Sequence, residues 1–330
     1  MYRPDLRGSQ RGVALITAML LTAVATTAAV TMASRQHVDI RRSSNLFEND
    51  QALLFAAGVE AWAGQILVRD RQDGQVDHEN EDWATILPPI SVEGGLVAGR
   101  IEDLQGRFNI NNLVRDGKAS ETDVAVFKRL LEILDLEPAL ADRVVDWLDT
   151  DENVTFPSGA EDNRYLGLEV PYRTANRLMA SPSELMLVEG IKMEEYQKLS
   201  PYITVLPERT AVNVNTARAE VLMALIDGLT EADAERLISD RGDEGYASVA
   251  AFTASKLVRD RLDQARKKQG QTTGKRQNEN GLEESLLSVG SDYFLVSASS
   301  SFGRAEKNIN SVIKRSDTEA SVIMRARGEL

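Results

Sequence analysis

From Val13 to Ala33 the chain reads VALITAMLLTAVATTAAVTMA, without a charge, a proline or a glycine. As a helix rising ~1.5 Å per residue it reaches ~30 Å, enough to cross the hydrocarbon core of a bilayer. The helical pattern does not stop at that boundary. Leu46, Phe47, Leu53, Leu54, Ala57 and Ala61 recur at helical spacing, Trp62 and Ile66 extend the face, and no proline intervenes before Pro88. The spacing therefore predicts one rod running to about Arg71, roughly 85 Å long, with its first half in lipid and its second half against a sheet. Residues 72–91 are polar and turn-rich between Asp73-Gly74 and Pro88-Pro89, and read as a loop. Gly94-Gly95 opens a strand over about 95–104 carrying Val97, Ile101 and Leu104. Period-two alternation returns only near the end, over 293–299, 305–314 and 320–327.

Between these strands the grammar is helical and stated twice. Phe108-Asn109-Ile110-Asn111-Asn112 precedes helices over 126–134 and 139–148 joined at Asp135-Leu136-Glu137-Pro138. Val212-Asn213-Val214-Asn215-Thr216 precedes helices over 220–226 and 231–241 joined at Asp227-Gly228-Leu229-Thr230. Leu136 then matches Leu229, Ala141 matches Ala234 and Arg143 matches Arg236, so the region holds a duplicated helix-hairpin unit, about 107–150 and 210–262. A helix pair over 182–199, an extended connector over 201–207 and a helical stretch over 246–262 complete it. Residues 267–281 have almost no apolar residue and read as a mobile loop. The fold class is α+β: a long N-terminal helix on a small antiparallel sheet, with a large all-α domain (107–285) inserted into a body formed by 72–106 and 286–330.

The residues before the apolar run give it a direction. Arg3, Arg7 and Arg11 face one acid, Asp5, so the N-terminus stays on the cytoplasmic side and the remainder crosses. Gly12 stands between this basic stretch and the apolar run, which resembles a type IV prepilin leader. That resemblance implies cleavage by a prepilin peptidase between Gly12 and Val13 and methylation of Val13 as the new terminus. An uncleaved signal anchor is the plainer reading. Pilins usually carry glutamate as the fifth mature residue, pairing with the terminal amine of a neighbour, whereas here that position is Thr17. A carboxylate in hydrocarbon is retained only where a partner compensates it. Its replacement by Thr17 suits a subunit that founds or tips a filament, although threonine is also tolerated in any membrane helix.

Composition removes other classes. With no cysteine there is neither a disulfide framework nor a thiolate metal site, and the two histidines, His37 and His78, lie far apart in the chain. A formal net charge of -13 opposes a general nucleic-acid surface. The hairpins resemble helix-hairpin-helix or SAM-like modules, some of which bind DNA through a glycine-rich turn. The first hairpin has no turn glycine and carries Asp135 and Glu137, and the second has only Gly228. Both hairpins are read as structural or protein-binding.

The most chemically loaded segment lies between the hairpins: Asp146-Trp147-Leu148-Asp149-Thr150-Asp151-Glu152-Asn153, then Ser158-Gly159-Ala160-Glu161-Asp162-Asn163. Calcium takes six to eight oxygens from a flexible loop. Asp149 and Asp151 can face one side of an extended loop, Glu161 and Asp162 can close the other, and Asn153 or Asn163 can add neutral oxygens. The spacing is not that of an EF-hand, and a solvated acidic loop is the competing reading.

The prepilin-like leader, Thr17 in place of glutamate, the helical insertion after the first strand and the string WLDTDENVTFPSGAEDNRYLGLEVPYRTANRLMASPSEL together resemble the K-type minor pseudopilins of type II secretion, over nearly the whole chain. The resemblance implies a non-enzymatic subunit, single-pass in the inner membrane, with its C-terminal part in the periplasm. It implies partnership with I-type and J-type minor pseudopilins, and through them the major pseudopilin, at the tip of a pseudopilus. It also implies calcium in the helical domain, with Asp149, Asp151, Glu161 and Asp162 as ligands. A pilin-like DNA receptor using tandem hairpins is the alternative, and a hydrolase lacks any Ser/His or metal-histidine constellation.

Overall fold

The computed structural model describes residues 10–86, 88–268 and 284–327. Helix α1 (Gln10–Asp73) is continuous from the apolar run into the folded body. It is long and apolar enough to cross a membrane, its most apolar window having a mean hydropathy of 2.1 and no residue buried within the fold. Inside the apolar stretch the hydroxyls of Thr17, Thr22, Thr26, Thr27 and Thr31 donate to carbonyls one turn back, so each is satisfied without water.

Beyond the membrane stretch, α1 buries Ala52, Ala56, Val59, Ala63 and Leu67, a stripe at three- and four-residue spacing. The small residues let the helix lie close on a five-stranded antiparallel sheet ordered β1 (Ile90–Val92), β2 (Gly95–Asp103), β9 (Tyr293–Phe302), β10 (Ala305–Arg315) and β11 (Ala320–Ala326). Gly99 faces Val59 so closely that a Cβ there would lie 2.6 Å from the valine. Buried Glu60 fixes helix to sheet by accepting from Arg325 Nε at 2.8 Å and Nη2 at 2.6 Å, and from the Ser311 hydroxyl. Strand β1 falls in the stretch read as loop. Only three residues long, it gains its hydrogen bonds by turning back on β2 through Gly94, which adopts φ +85°.

Strands β2 and β9 are direct neighbours, paired from Gly95↔Phe302 to Asp103↔Phe294. Everything between them in sequence is therefore an outgrowth from one end of the sheet. It contains the short strands β3 (Phe108–Asn109), β4 (Val114–Arg115), β5 (Lys118–Ala119), β6 (Ile203–Thr204), β7 (Val212–Asn213) and β8 (Leu287–Ser288). Its helices are α2 (Glu121–Ile133), α3 (Leu140–Leu148), α4 (Asp162–Tyr165), α5 (Met193–Leu199), α6 (Ala219–Leu225), α7 (Glu231–Asp240), α8 (Val249–Thr253) and α9 (Lys256–Lys268). The stretch 182–187, read as helix, is helical in the tighter 3-10 form. Most of the loop read over 267–281 lies outside the described residues.

The repetition seen in sequence has a structural counterpart. Each unit opens on a two-residue strand that pairs in parallel with a strand lying downstream of the unit, β3 with β6 and β7 with β8. In each, the opening asparagine accepts from the backbone amide two residues on: Asn111 N to Asn109 Oδ1 at 3.1 Å, and Asn215 N to Asn213 Oδ1 at 3.0 Å. Both hairpin turns pass through the left-handed region, at Asp135 (φ 53°) and Gly228 (φ 78°). The units share one core, in which Phe127, Leu131 and Val144 of the first meet residues such as Leu222, Leu225 and Leu237 of the second.

The outgrowth joins the body at the far end of α1 through a buried polar junction. Asp103 Oδ2 accepts from Asn213 Nδ2 at 3.0 Å, Thr216 Oγ1 at 2.6 Å and Ser291 Oγ at 2.6 Å. Arg315, 1% exposed, donates to Asp70 and Asp77 at 2.7 Å and to the Ser291 carbonyl at 2.6 Å. Helix end, sheet and outgrowth are tied at one point.

Candidate metal centre and membrane-helix positions

Helix α3 buries an apolar face and ends at Leu148, where Asp149 caps it in an extended conformation and the acidic loop begins. Asp146, one turn earlier on the same face, is fully buried; its carboxylate accepts from the Thr155 amide at 3.0 and 3.2 Å. Gly159 packs so tightly here that a Cβ would stand 2.1 Å from Asp146 Oδ2. Asp149 and Glu161 are only 5% and 3% exposed. One oxygen of each, Asp149 Oδ1 and Glu161 Oε1, is buried without a hydrogen-bond partner, and so is Asn176 Oδ1. Asn176 belongs to the same loop system, since its Nδ2 donates to the Asp151 carbonyl at 3.3 Å.

Burial, then the charges of Asp151 and Asp146, pushes the Asp149 carboxyl up to about 6. Burial and then Asp146 push Glu161 up to about 7, and burial also raises Asp146. Unpaired buried acceptors cost roughly 1–3 kcal/mol each. Three such oxygens, two of them carboxylate, are donors of the kind a hard cation takes.

The four acids singled out from sequence are not equivalent here. Asp149 and Glu161 carry the unpartnered oxygens. Asp151 is exposed and its Oδ1 accepts from Asn153 N at 2.8 Å and Nδ2 at 2.7 Å. Asp162 has both oxygens engaged, Oδ1 by Thr174 N and Oγ1 at 3.0 Å each and Oδ2 by Arg173 at 3.0 Å. Asp146 and Asn176 were not singled out. The three-residue spacing from Asp146 to Asp149 in the α3 pattern was a signal for the first, whereas nothing local marks Asn176. Among the described residues, the acids whose carboxylate oxygens lie within 4.8 Å of one another are Asp70, Asp77 and Glu81, not those of the loop after α3. Arg315 already bridges Asp70 and Asp77, and Glu81 accepts from Trp83 Nε1 at 2.7 Å, so that cluster has its cation.

In the membrane stretch, Gly12 and Val13 lie in the first turns of α1, both exposed. The helix runs through Gly12 without interruption. The Thr17 hydroxyl donates back to Val13 O at 3.1 Å and Ala14 O at 3.0 Å.

A membrane-length helix continuing onto a small antiparallel sheet, with a helical outgrowth between adjacent strands, defines a pilin-like protein with an enlarged head. Residues 106–208 and 212–272 match two family models described as type II secretion system protein K. The type II secretion system protein K of Pseudomonas aeruginosa is 37% identical, with 98% of this chain and 95% of that protein covered. Its counterpart in Klebsiella pneumoniae is 31% identical, with 97% of each covered. The crystal structure of the GspK-GspI-GspJ complex from the enterotoxigenic Escherichia coli type 2 secretion system gives a TM-score of 0.75 at 27% identity, covering 88% of this chain and all of that one. The chain belongs to the type II secretion system protein K family, whose members are structural components of a protein-transport apparatus.

Proposed function

We propose that this chain is a minor pseudopilin standing uppermost in a type II secretion pseudopilus. The observation that carries the reading is the insertion of residues 107–285 between two neighbouring strands, at the end of the sheet farthest along α1 from the membrane stretch. A head broader than the rod beneath it lets further subunits add below and obstructs addition above. Thr17 supports the same reading, because a hydroxyl satisfied by its own helix asks nothing of a neighbour in lipid. The similar chain was solved with GspI and GspJ, so I-type and J-type subunits are the partners proposed here, with the major pseudopilin below them.

In this reading a prepilin peptidase cuts between Gly12 and Val13, Val13 is methylated, the helix is held in the inner membrane and the head lies in the periplasm. Calcium braces the head by binding Asp149, Glu161 and Asn176, with Asp146 and Asp151 adding negative charge; the fully engaged oxygens of Asp162 make it the weakest of the four acids expected to ligate. The test is to delete residues 107–285, or to introduce Thr17→Glu, and to measure pseudopilus length and secretion. Both variants are expected to alter length and reduce secretion, and unchanged length and secretion in both contradict the reading. The DNA-receptor alternative finds no supporting observation: Asp135 occupies the left-handed position of the first turn, where an acid repels phosphate.

A further inference from the structure

The head covers only part of the sheet face opposite α1. Leu104, Leu206, Tyr293 and Val312 form the covered corner. Beside it the head and the sheet diverge and leave a cleft of about 510 Å³, within the range of ligand sites. Its floor crosses strands in register, since Arg100 pairs with Ser297 and Ser297 with Asn310. Leu295 and Met324, only partly buried, supply apolar surface, and the opposite wall is the connector around Pro201 and Ile203 with Tyr196.

The charge of this cleft runs against that of the chain. In a protein of net charge -13, the described lining contains Arg100 and Arg107 and no acidic side chain. Arg100 is 54% exposed and Arg107 22%, and their shared partner Glu102, outside the lining, meets one amino group of each. One carboxylate between two guanidiniums leaves positive charge and unused donors facing the opening. Crossing from β2 to β11 spans three strand spacings, ~14 Å, the reach of about four extended residues. Two arginines are too few for a polyanion, whose binding depends on neutralising many phosphates. Because the cleft lies across the sheet from α1, helix-to-helix packing in a filament leaves it open.

We infer that this cleft is a docking site for an extended acidic segment of a protein partner, with aliphatic side chains on Leu295 and Met324 and a carboxylate at Arg100 and Arg107. The site rests on the cleft's own chemistry and stands whether or not this chain is uppermost in its filament. The probe is a fluorescein-labelled peptide alternating leucine and glutamate, titrated into the full chain in detergent while anisotropy is followed, beside the same peptide with glutamine for glutamate. The expected result is saturable binding of the acidic peptide alone, weakened about tenfold by Arg100→Glu, with circular dichroism showing that the variant, which gives up the Glu102 pair, keeps the fold. In this cysteine-free chain, Ser297→Cys should also be alkylated more slowly when the acidic peptide is present. No saturable binding, equal binding of the glutamine peptide, or indifference to Arg100→Glu overturns the inference.

Discussion

Replacing Asp149 by asparagine should abolish calcium-induced stabilisation of the head while leaving the metal-free protein no less stable. In the metal-free chain burial and neighbouring acids raise Asp149 from 3.8 to about 6 and Glu161 from 4.5 to about 7. At 1.36 kcal/mol per pH unit, holding each ionised in the fold costs on the order of 3 kcal/mol. In the unfolded chain these carboxyls lose their protons near pH 4, and in the fold only near 6 to 7. The metal-free head is therefore most stable below pH 4 with respect to these groups and loses that stability as pH rises to 7. The proposed calcium would reverse the sign, because it would bind the deprotonated carboxylates of the folded head and not the unfolded chain. At a hundredfold excess over Kd it contributes about 2.7 kcal/mol. Thermal unfolding followed by circular dichroism, with calcium or chelator, at several values between pH 5 and 8, reads all of this. The calcium-induced rise in Tm should be large at pH 7.5, shrink steadily below pH 6.5 and vanish in Asp149→Asn. A rise that is equal at pH 5 and pH 7.5, or that survives in Asp149→Asn, refutes the reasoning.

Arg315→Leu should cost about 3–5 kcal/mol, the toll for leaving buried acids without their cation, here Asp77 and Asp70, and denaturant unfolding of the chain measures it. Gly228→Ala meets no atom within 4 Å, so only its φ of +78° is penalised and the expected loss in the same assay is about 1 kcal/mol. Gly95→Ala should prevent folding of the sheet, because its Cβ would stand 1.8 Å from the Ser301 carbonyl oxygen; limited proteolysis should find the body open. Mass spectrometry of the protein extracted from cells should find a chain beginning at methylated Val13, and an intact leader contradicts the processing proposed.

The long helix and the sheet were legible because their signals are local and periodic: an uninterrupted apolar run, a stripe at helical spacing, and alternation over 293–326. The short strands were not. Strand β1 owes its hydrogen bonds to β2, and β3 pairs with β6 far downstream of the first unit, so no window of sequence contains the cause. The duplication was visible as repeated text, and its physical content, Asp135 standing where the second unit has Gly228, emerged from the backbone angles. Keeping that register sets Asp146 and Asp149 beside Ser239 and Gly242, so the second unit lacks the corresponding carboxylates. Which acids of the loop keep an unpaired oxygen was only partly legible. Acid density pointed to Asp149 and Glu161, but which oxygens remain unpaired depends on Arg173, Thr174 and Asn153 reaching Asp162 and Asp151 first. Asn176 entered through tertiary contact alone.

The position of the head in the assembled filament bears most directly on the proposed role. Isolated pseudopili decorated with gold-labelled antibody raised against residues 107–285 and imaged by electron microscopy should carry label at one end only. Label distributed along the filament shaft contradicts the account.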